Sequence, residues 1–326
     1  MRKIRWGVLG TAGIAYGQTI PGMQLAENCE LYAIAGRNAE KAAAFAREFG
    51  FEKIYTDYDA LLNDPRVEAV YIPLPNTLHC EWTLKALKAK KHVLCEKPLA
   101  PTEAEAAALF RAAEENGVLL MEAFAYLHSP IISAIKEELD SGVIGDVRYM
   151  ETAFLTSDYD HSNIRMRRET CGGSVYDLGC YCTSQILWML GREPEKVQAI
   201  ADYFPDEHVD KLTSAILTFG EDCRAAFSCG MVLMTEQGER LDRLWIRGMK
   251  GSIKSDVEFN QCGDLRYTVT ANGKSVEKIV PARQKYCLEV EQMGRRIESG
   301  EPARVTEAFT RMNLRTIERV LKAINY

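Results

Sequence analysis

The sequence predicts a two-domain chain: an α/β N-terminal half built on a parallel sheet, and an α+β C-terminal half with a mainly antiparallel open sheet. Three observations carry this. Residues 4–122 alternate short, β-rich apolar runs with helix-period segments, the pattern of βαβ units with helices on both faces of a parallel sheet. From about residue 195 to 280, strand-like runs instead follow one another across short turns. The length of 326 residues exceeds what one core usually serves. The division is placed between residues 122 and 123, with the closing helices able to pack back on the first domain.

In the first half the strand-like runs are "IRWGVLG", "LYAIAG", "EAVYIPL", "KHVLCE" and "GVLLMEA". Between them lie the helix-period segments "AEKAAAFAREFG", "DYDALLND", "TLHCEWTLKALKA" and "TEAEAAALFRAAEENG". Thr102 with Glu105 forms a capping box before the last of these, and Asn116-Gly117 stops it. Beyond residue 123 a helix, "SPIISAIKEELDSG", precedes the run "DVRYMETAFL" and a helix over about 174–190. The strand-like runs "KVQAIADYF", "LTSAILTFG", "CRAAFSCGM", "DRLWIRGM" and "LRYTVTANGKSVEKIV" come next. Asn272-Gly273 between β-type residues is a hairpin signal. Helices over about 284–299 and 306–324 close the chain.

Composition narrows the function classes. A net charge of −6 argues against nucleic acid or an anionic membrane surface as the main partner. No apolar run approaches a membrane span, and "MRKIRWGVLG" shows no signal-peptide cleavage pattern, which predicts a cytoplasmic protein. The ten cysteines are scattered without a C-x-x-C pair, Cys180 and Cys182 being the closest two. They read as free, mostly packing thiols, and no metal site is predicted.

The first strand runs into Gly10-Thr11-Ala12-Gly13-Ile14-Ala15. A dinucleotide-binding turn carries glycines so that the chain can turn tightly and bring backbone N–H groups to a pyrophosphate. Here alanines stand at two of the three glycine positions, and any strand–turn–helix junction wants a glycine. The position of the turn, at the first βα junction of an alternating half, favours a Rossmann-type nucleotide site. The second strand ends in Ala35-Gly36-Arg37-Asn38 with no acid for a ribose hydroxyl. A guanidinium there suits a 2′-phosphate, so NADP is favoured with NAD possible; the plainer reading is a solvated arginine capping the next helix.

Two further strand ends fall on the ligand side of such a sheet. "YIPLPNTLH", residues 71–79, leaves a strand through two prolines, and Asn76-Thr77 can cap a helix. "CEKPLA", residues 95–100, ends a strand with a carboxylate and an ammonium. The residue before a proline is held extended, which projects Lys97 from the strand end. An ammonium there can polarise a substrate oxygen or lower the pKa of a neighbouring acid. A surface loop lysine is the alternative. In "CGGSVYDLGCYC", residues 171–182, Asp177 and Tyr181 share one helix face. Gly179 between them costs about 1 kcal/mol relative to alanine, so something approaches that backbone: a nicotinamide ring, or another helix.

These segments resemble the Gfo/Idh/MocA oxidoreductases over essentially the whole length. The carriers are the glycine turn, "PLPNTLH", "EKPLA", "LLMEAFAYLHSP", "GVIGDVRYM" and "GGSVYDLGCY". The resemblance implies an NAD(P)-dependent enzyme oxidising a sugar or related cyclic alcohol, or reducing the matching carbonyl. It implies catalytic roles for Lys97, Tyr181 and Asp177. Cofactor contacts are implied at Gly10, Thr11, Ala12, Gly13, Ile14, Arg37, Leu74, Pro75, Asn76, His79, Glu96, Lys97 and Pro98, with Arg165 of "NIRMRRETCGG" touching cofactor or substrate. Tyr181, where many members carry histidine, resembles the xylose dehydrogenase, glucose–fructose oxidoreductase and dihydrodiol dehydrogenase branch. A homodimer or higher homo-oligomer through the open sheet face is also implied.

On this reading Tyr181 accepts the hydroxyl proton as hydride leaves the carbinol carbon. A free tyrosine titrates near 10, so a cation such as Lys97 is needed beside it. The competing readings are a non-catalytic NADP-binding regulator of the same fold, and a hydrolase or lyase using its nicotinamide transiently. A sensor has no need of Lys97, Asp177 and Tyr181 together. Tyr126, His128, Asp158 and Arg165 are the candidates for choosing the substrate.

Overall fold

The computed structural model describes residues 2–157, 160–233, 240–256 and 258–326. The chain opens with β1 (Ile4–Leu9), a π-helical turn (Ala15–Thr19) running into α1 (Ile20–Leu25), and β2 (Cys29–Ala35). Then come α2 (Ala39–Phe49), β3 (Lys53–Tyr55), α3 (Tyr58–Leu62), β4 (Ala69–Ile72) and α4 (Asn76–Lys88). β5 (His92–Glu96), α5 (Glu103–Asn116) and β6 (Leu120–Ala123) complete the alternating part. α6 (Pro130–Asp140) and β7 (Val147–Ser157) follow, then a second π-helical turn (Val175–Gly179) continuing as α7 (Cys180–Leu190). The remaining strands are β8 (Lys196–Tyr203), β9 (Asp210–Phe219), β10 (Cys223–Leu233), β11 (Arg240–Gly248), β12 (Gly251–Ser255), β13 (Gly263–Ala271) and β14 (Lys274–Ala282). α8 (Lys285–Ser299) and α9 (Glu307–Ala323) end the chain. There are two compact units: Met1–Ser129 with Arg283–Thr310, and Pro130–Ala282 with Arg311–Tyr326.

The first unit holds a six-stranded sheet in the order β3-β2-β1-β4-β5-β6, every pair parallel. Its central strands are largely buried, with every residue of β4 inaccessible, because helices cover both faces. Chain order reverses between β1 and β4, the switch point outside which open α/β sheets bind ligands. Local chemistry sets the helix ends. Asn38 caps α2 by accepting from Lys41 N at 2.9 Å, and Gly50 at φ 81° stops it. Thr102 accepts from Glu105 N at 3.3 Å and donates to Glu105 Oε2 at 2.7 Å, and Gly117 at φ 67° ends α5. β3 was not legible in the sequence: its three residues lie at the sheet edge, two of them exposed, and carry no apolar pattern.

The second unit holds an eight-stranded sheet, β14-β13-β12-β11-β7-β10-β9-β8. All neighbours are antiparallel except β7 and β10. Asn272 and Gly273, at φ 52° and 74°, make the expected hairpin turn between β13 and β14. β12, with its glycine and alternating polar residues, escaped the sequence reading. α7 packs against β7 and β10, while Ile200 of β8 and Ile216 of β9 remain exposed on the sheet. Among the described residues no helix is long and apolar enough to cross a membrane.

Candidate active site

In the first unit the glycine turn follows β1. Gly10 has φ +121°, a conformation that disfavours any side chain, and a Cβ there would come within 3.1 Å of Leu74 Cδ2. Its N–H donates to Ala35 O at 2.8 Å, tying the turn to the end of β2. Gly36 continues that contact, since a Cβ on it would meet Thr11 Cγ2 at 3.1 Å. Thr11, Ala12 and Ile14 are half-buried, and Gly13 is exposed with open space where a Cβ would stand. An open turn with a positive-φ glycine and a helix start at the switch point fits the pyrophosphate of a dinucleotide. Ala15, at the third glycine position, is fully buried.

Arg37 is exposed at the end of β2. Helix capping at this junction belongs to Asn38, so the plainer reading of Arg37 as a cap does not hold. Burial raises the Tyr58 phenol pKa, and the Arg37 guanidinium beside it offsets part of that rise.

The two proline-bearing strand ends are tied together by His79. Its Nδ1 lies 2.8 Å from Pro98 O and its Nε2 2.7 Å from Leu74 O, in full burial. Burial lowers the pKa of this imidazole. His79 thus holds Leu74 and Pro98, two other expected cofactor contacts, in register. Asn76 begins α4 and the N-cap position is Pro75, so the cap expected from Asn76-Thr77 lies one residue earlier.

Lys97 is half-buried and joined to Pro98 by a cis peptide bond. Beneath it lies a buried acidic group that the sequence reading did not assemble. Tyr71 donates to Glu96 Oε1 at 2.6 Å and its hydroxyl sits 2.9 Å from Thr19 Oγ1. Glu122 Oε1 accepts from Leu99 N at 2.9 Å. Burial pushes the Glu122 carboxyl up to about 7, with Leu99 N–H, Thr310 and the Lys97 charge opposing. Glu289 of α8 is fully buried, and burial followed by the Glu96 charge raises its pKa well above the ordinary carboxylate range. The acid inside the apolar run "LLMEAFAY" was a visible signal for Glu122; nothing local marked Tyr71 or Glu289.

In the second unit, Asp177 lies in the π-helical turn and Tyr181 in the first turn of α7. Asp177 is buried, and its Oδ2 lies 2.9 Å from Arg165 Nε. Tyr181 is half-buried on an aromatic shelf, its ring centroid 5.4 Å from that of Phe154 and 5.1 Å from that of Phe259. Arg240 lies over Phe154 at 4.4 Å and grips Asp242 through Nε at 3.0 Å and Nη2 at 2.5 Å. Asp242, Glu258 and Tyr181 all act on the Arg240 charge, so within this unit the arginine is a cation near the phenol that the sequence did not reveal. The element packed against Gly179 is a strand, not the helix expected: a Cβ there would stand 3.1 Å from Cys229 Sγ of β10.

Of the residues considered for substrate choice, Tyr126 and His128 are buried in the first unit, and burial pushes the His128 imidazole down to about 3. Asp158 lies outside the described residues. No group of three or more His, Cys, Asp or Glu side chains among the described residues could hold a metal ion.

Comparison with known proteins names the family. Residues 4–124 match the model of the oxidoreductase family with an NAD-binding Rossmann fold, and residues 132–254 match the GFO/IDH/MocA C-terminal domain. The chain belongs to this family and is an NAD(P)-dependent oxidoreductase. It is similar to a D-xylose 1-dehydrogenase (NADP(+)) of Haloferax volcanii, 34% identical over 98% of this chain and 96% of the relative. It is also similar to a dTDP-3,4-didehydro-2,6-dideoxy-α-D-glucose 3-reductase of Actinomadura kijaniata, 32% identical over 92% of this chain and 90% of the relative. Among solved structures, a 3-ketoreductase from Actinomadura kijaniata in complex with NADP and TDP-benzene superposes with a TM-score of 0.92 at 30% identity, covering 99% of this chain and 98% of that one.

Proposed function

We propose that the protein is an NADP-preferring dehydrogenase or reductase acting on a CH–OH carbon of a sugar or related cyclic alcohol, with Tyr181 and Lys97 serving the reacting oxygen. The observation that carries this is the presentation of Tyr181: a half-buried phenol on an aromatic shelf, one helical turn after an arginine-paired Asp177. The names of the similar proteins support the substrate class and the cofactor, a D-xylose dehydrogenase using NADP(+) and a deoxysugar ketoreductase.

When bound, the nicotinamide supplies the hydride acceptor or donor. Gly10, Thr11, Ala12, Gly13 and Ile14 would receive the pyrophosphate, Arg37 the 2′-phosphate, and Leu74, Pro75, Asn76, Glu96 and Pro98 the remaining cofactor contacts. Tyr181 Oη takes the proton from the substrate hydroxyl in oxidation and returns it in reduction. A cation is needed to hold the phenolate near neutral pH; Lys97 supplies it, and Arg240 adds to the field at the same ring. Asp177 fixes Arg165, which meets cofactor or substrate. The wetted sheet face around Ile200 and Ile216 joins a second copy of the chain; Ile200→Glu is expected to yield monomers by light scattering, and an unchanged mass would contradict the dimer.

The test of function is an initial-rate screen of aldoses and cyclic diols with NADP+ and NAD+, followed by nicotinamide absorbance. Turnover of at least one aldose, faster with NADP+, is expected. Cofactor binding without turnover of any CH–OH substrate would reject the enzyme reading.

A further inference from the structure

Asp210 opens β9 and is fully buried. A buried carboxylate is costly unless several donors satisfy it. Three do, all at Oδ2: Ser174 Oγ at 2.5 Å, Val175 N at 2.9 Å and Thr213 Oγ1 at 2.8 Å. Two of those donors begin the helical stretch that carries Asp177 and Tyr181. The other oxygen, Oδ1, covers Gly173, where a Cβ would fall 2.1 Å from it and where φ is +92°. Position 173 is therefore glycine for two reasons, and one of them is this carboxylate.

The same turn is gripped from its other side. Tyr326 Oη donates to Gly172 O at 2.9 Å; its ring meets Tyr176 edge-on at 5.5 Å and lies 4.4 Å from the Arg168 guanidinium. The glycines also carry the arginine segment. Gly173 N donates to Arg165 O at 2.8 Å and Gly172 N to Arg167 O at 2.9 Å. Both members of the Arg165–Asp177 pair are thus referenced to one turn.

We propose that Asp210 is the positioning residue of the site: it fixes the Gly172-Gly173 turn, and through it the direction in which Asp177 and Tyr181 are presented and the place of Arg165. It touches no reacting atom. The proposal rests on the catalytic reading of Tyr181 and Asp177, and it extends that reading to a residue no motif marks. Burial pushes the Asp210 carboxyl up to about 6 against the three hydrogen bonds, which leaves it ionised and acceptor-only at neutral pH. A misplacement of about 1 Å in a catalytic group costs on the order of 100-fold in rate.

The experiment compares the full-length chain with Asp210→Ala, Asp210→Asn and, should the first fail to fold, Ser174→Ala. Hydrogen–deuterium exchange over residues 172–181 is read without substrate, and kcat, KM and NADPH affinity are read with it. Asp210→Ala is expected to lose exchange protection over 172–181 and roughly 100-fold in kcat, with NADPH affinity changed far less. Asp210→Asn, which keeps one acceptor oxygen, recovers part of both; Ser174→Ala shows a smaller loss of the same kind. Unchanged protection, full kcat, or a parallel loss of NADPH affinity overturns the proposal. The exchange result stands whatever the wild-type protein turns over, so failure of the proposed function is read separately, as absence of wild-type turnover.

Discussion

Asp177 Oδ2 lies 2.9 Å from Arg165 Nε, so two residues twelve positions apart, which the sequence could name only separately, form one ion pair. Asp177 is buried while Arg165 is partly open to solvent. The carboxylate therefore orients the guanidinium, and the guanidinium is the member able to meet a ligand.

Asp177→Asn keeps the shape of the side chain and removes its charge. The expected result is a fall in kcat on the order of 100-fold from misplacement of Arg165, far larger than any loss of NADPH affinity. Steady-state rates combined with a fluorescence titration of NADPH check this. Wild-type kcat would show that the pair is only structural.

Glu122 makes stability depend on pH. Its folded pKa, pushed up to about 7 by burial, exceeds the unfolded value, so between about pH 4.5 and 7 the native state binds more protons than the unfolded chain. The contribution is complete below about pH 4.5 and is lost as pH rises through 7, a difference of about 3 kcal/mol. Gln accepts from Leu99 N without ionising. Glu122→Gln is therefore expected to gain about 3 kcal/mol on the wild type between about pH 5 and about pH 8 in urea unfolding. Parallel pH curves would show that Glu122 does not titrate in that window.

Arg37 bears on the choice of cofactor. It is exposed at the end of β2 beside Tyr58, with Asn38 doing the capping, and is the proposed partner of a 2′-phosphate. Arg37→Ala is expected to weaken NADPH roughly 10- to 100-fold, the worth of a charge-assisted contact, and to leave NADH unchanged. Equal effects on both cofactors would remove Arg37 from the discrimination.

The parallel half was legible because its signals are local. β4 reads as an unbroken apolar run because both its faces are covered, and Asn38, Thr102, Gly50 and Gly117 mark helix ends by residue types that a sequence displays. β3 and β12 were missed because an edge strand and a short polar strand bury too little to leave a pattern. Lys97, Asp177 and Tyr181 stood out because each sits in a motif. Tyr71, Glu289, Arg240 and Asp210 did not, because their partners are distant in the chain: Asp210 is 36 residues from Ser174. Gly179 and His79 show the converse, motif residues whose surroundings are a cysteine and two backbone carbonyls.

The central claim is that Lys97 and Tyr181 serve one proton transfer coupled to hydride transfer. Its most direct test is the turnover of an aldose with NADP+ by Lys97→Ala and Tyr181→Phe, read beside NADPH affinity in the same preparations. The account predicts kcat losses of about 10²- to 10⁴-fold in each variant with NADPH binding unchanged. Near-wild-type turnover in either variant would contradict it.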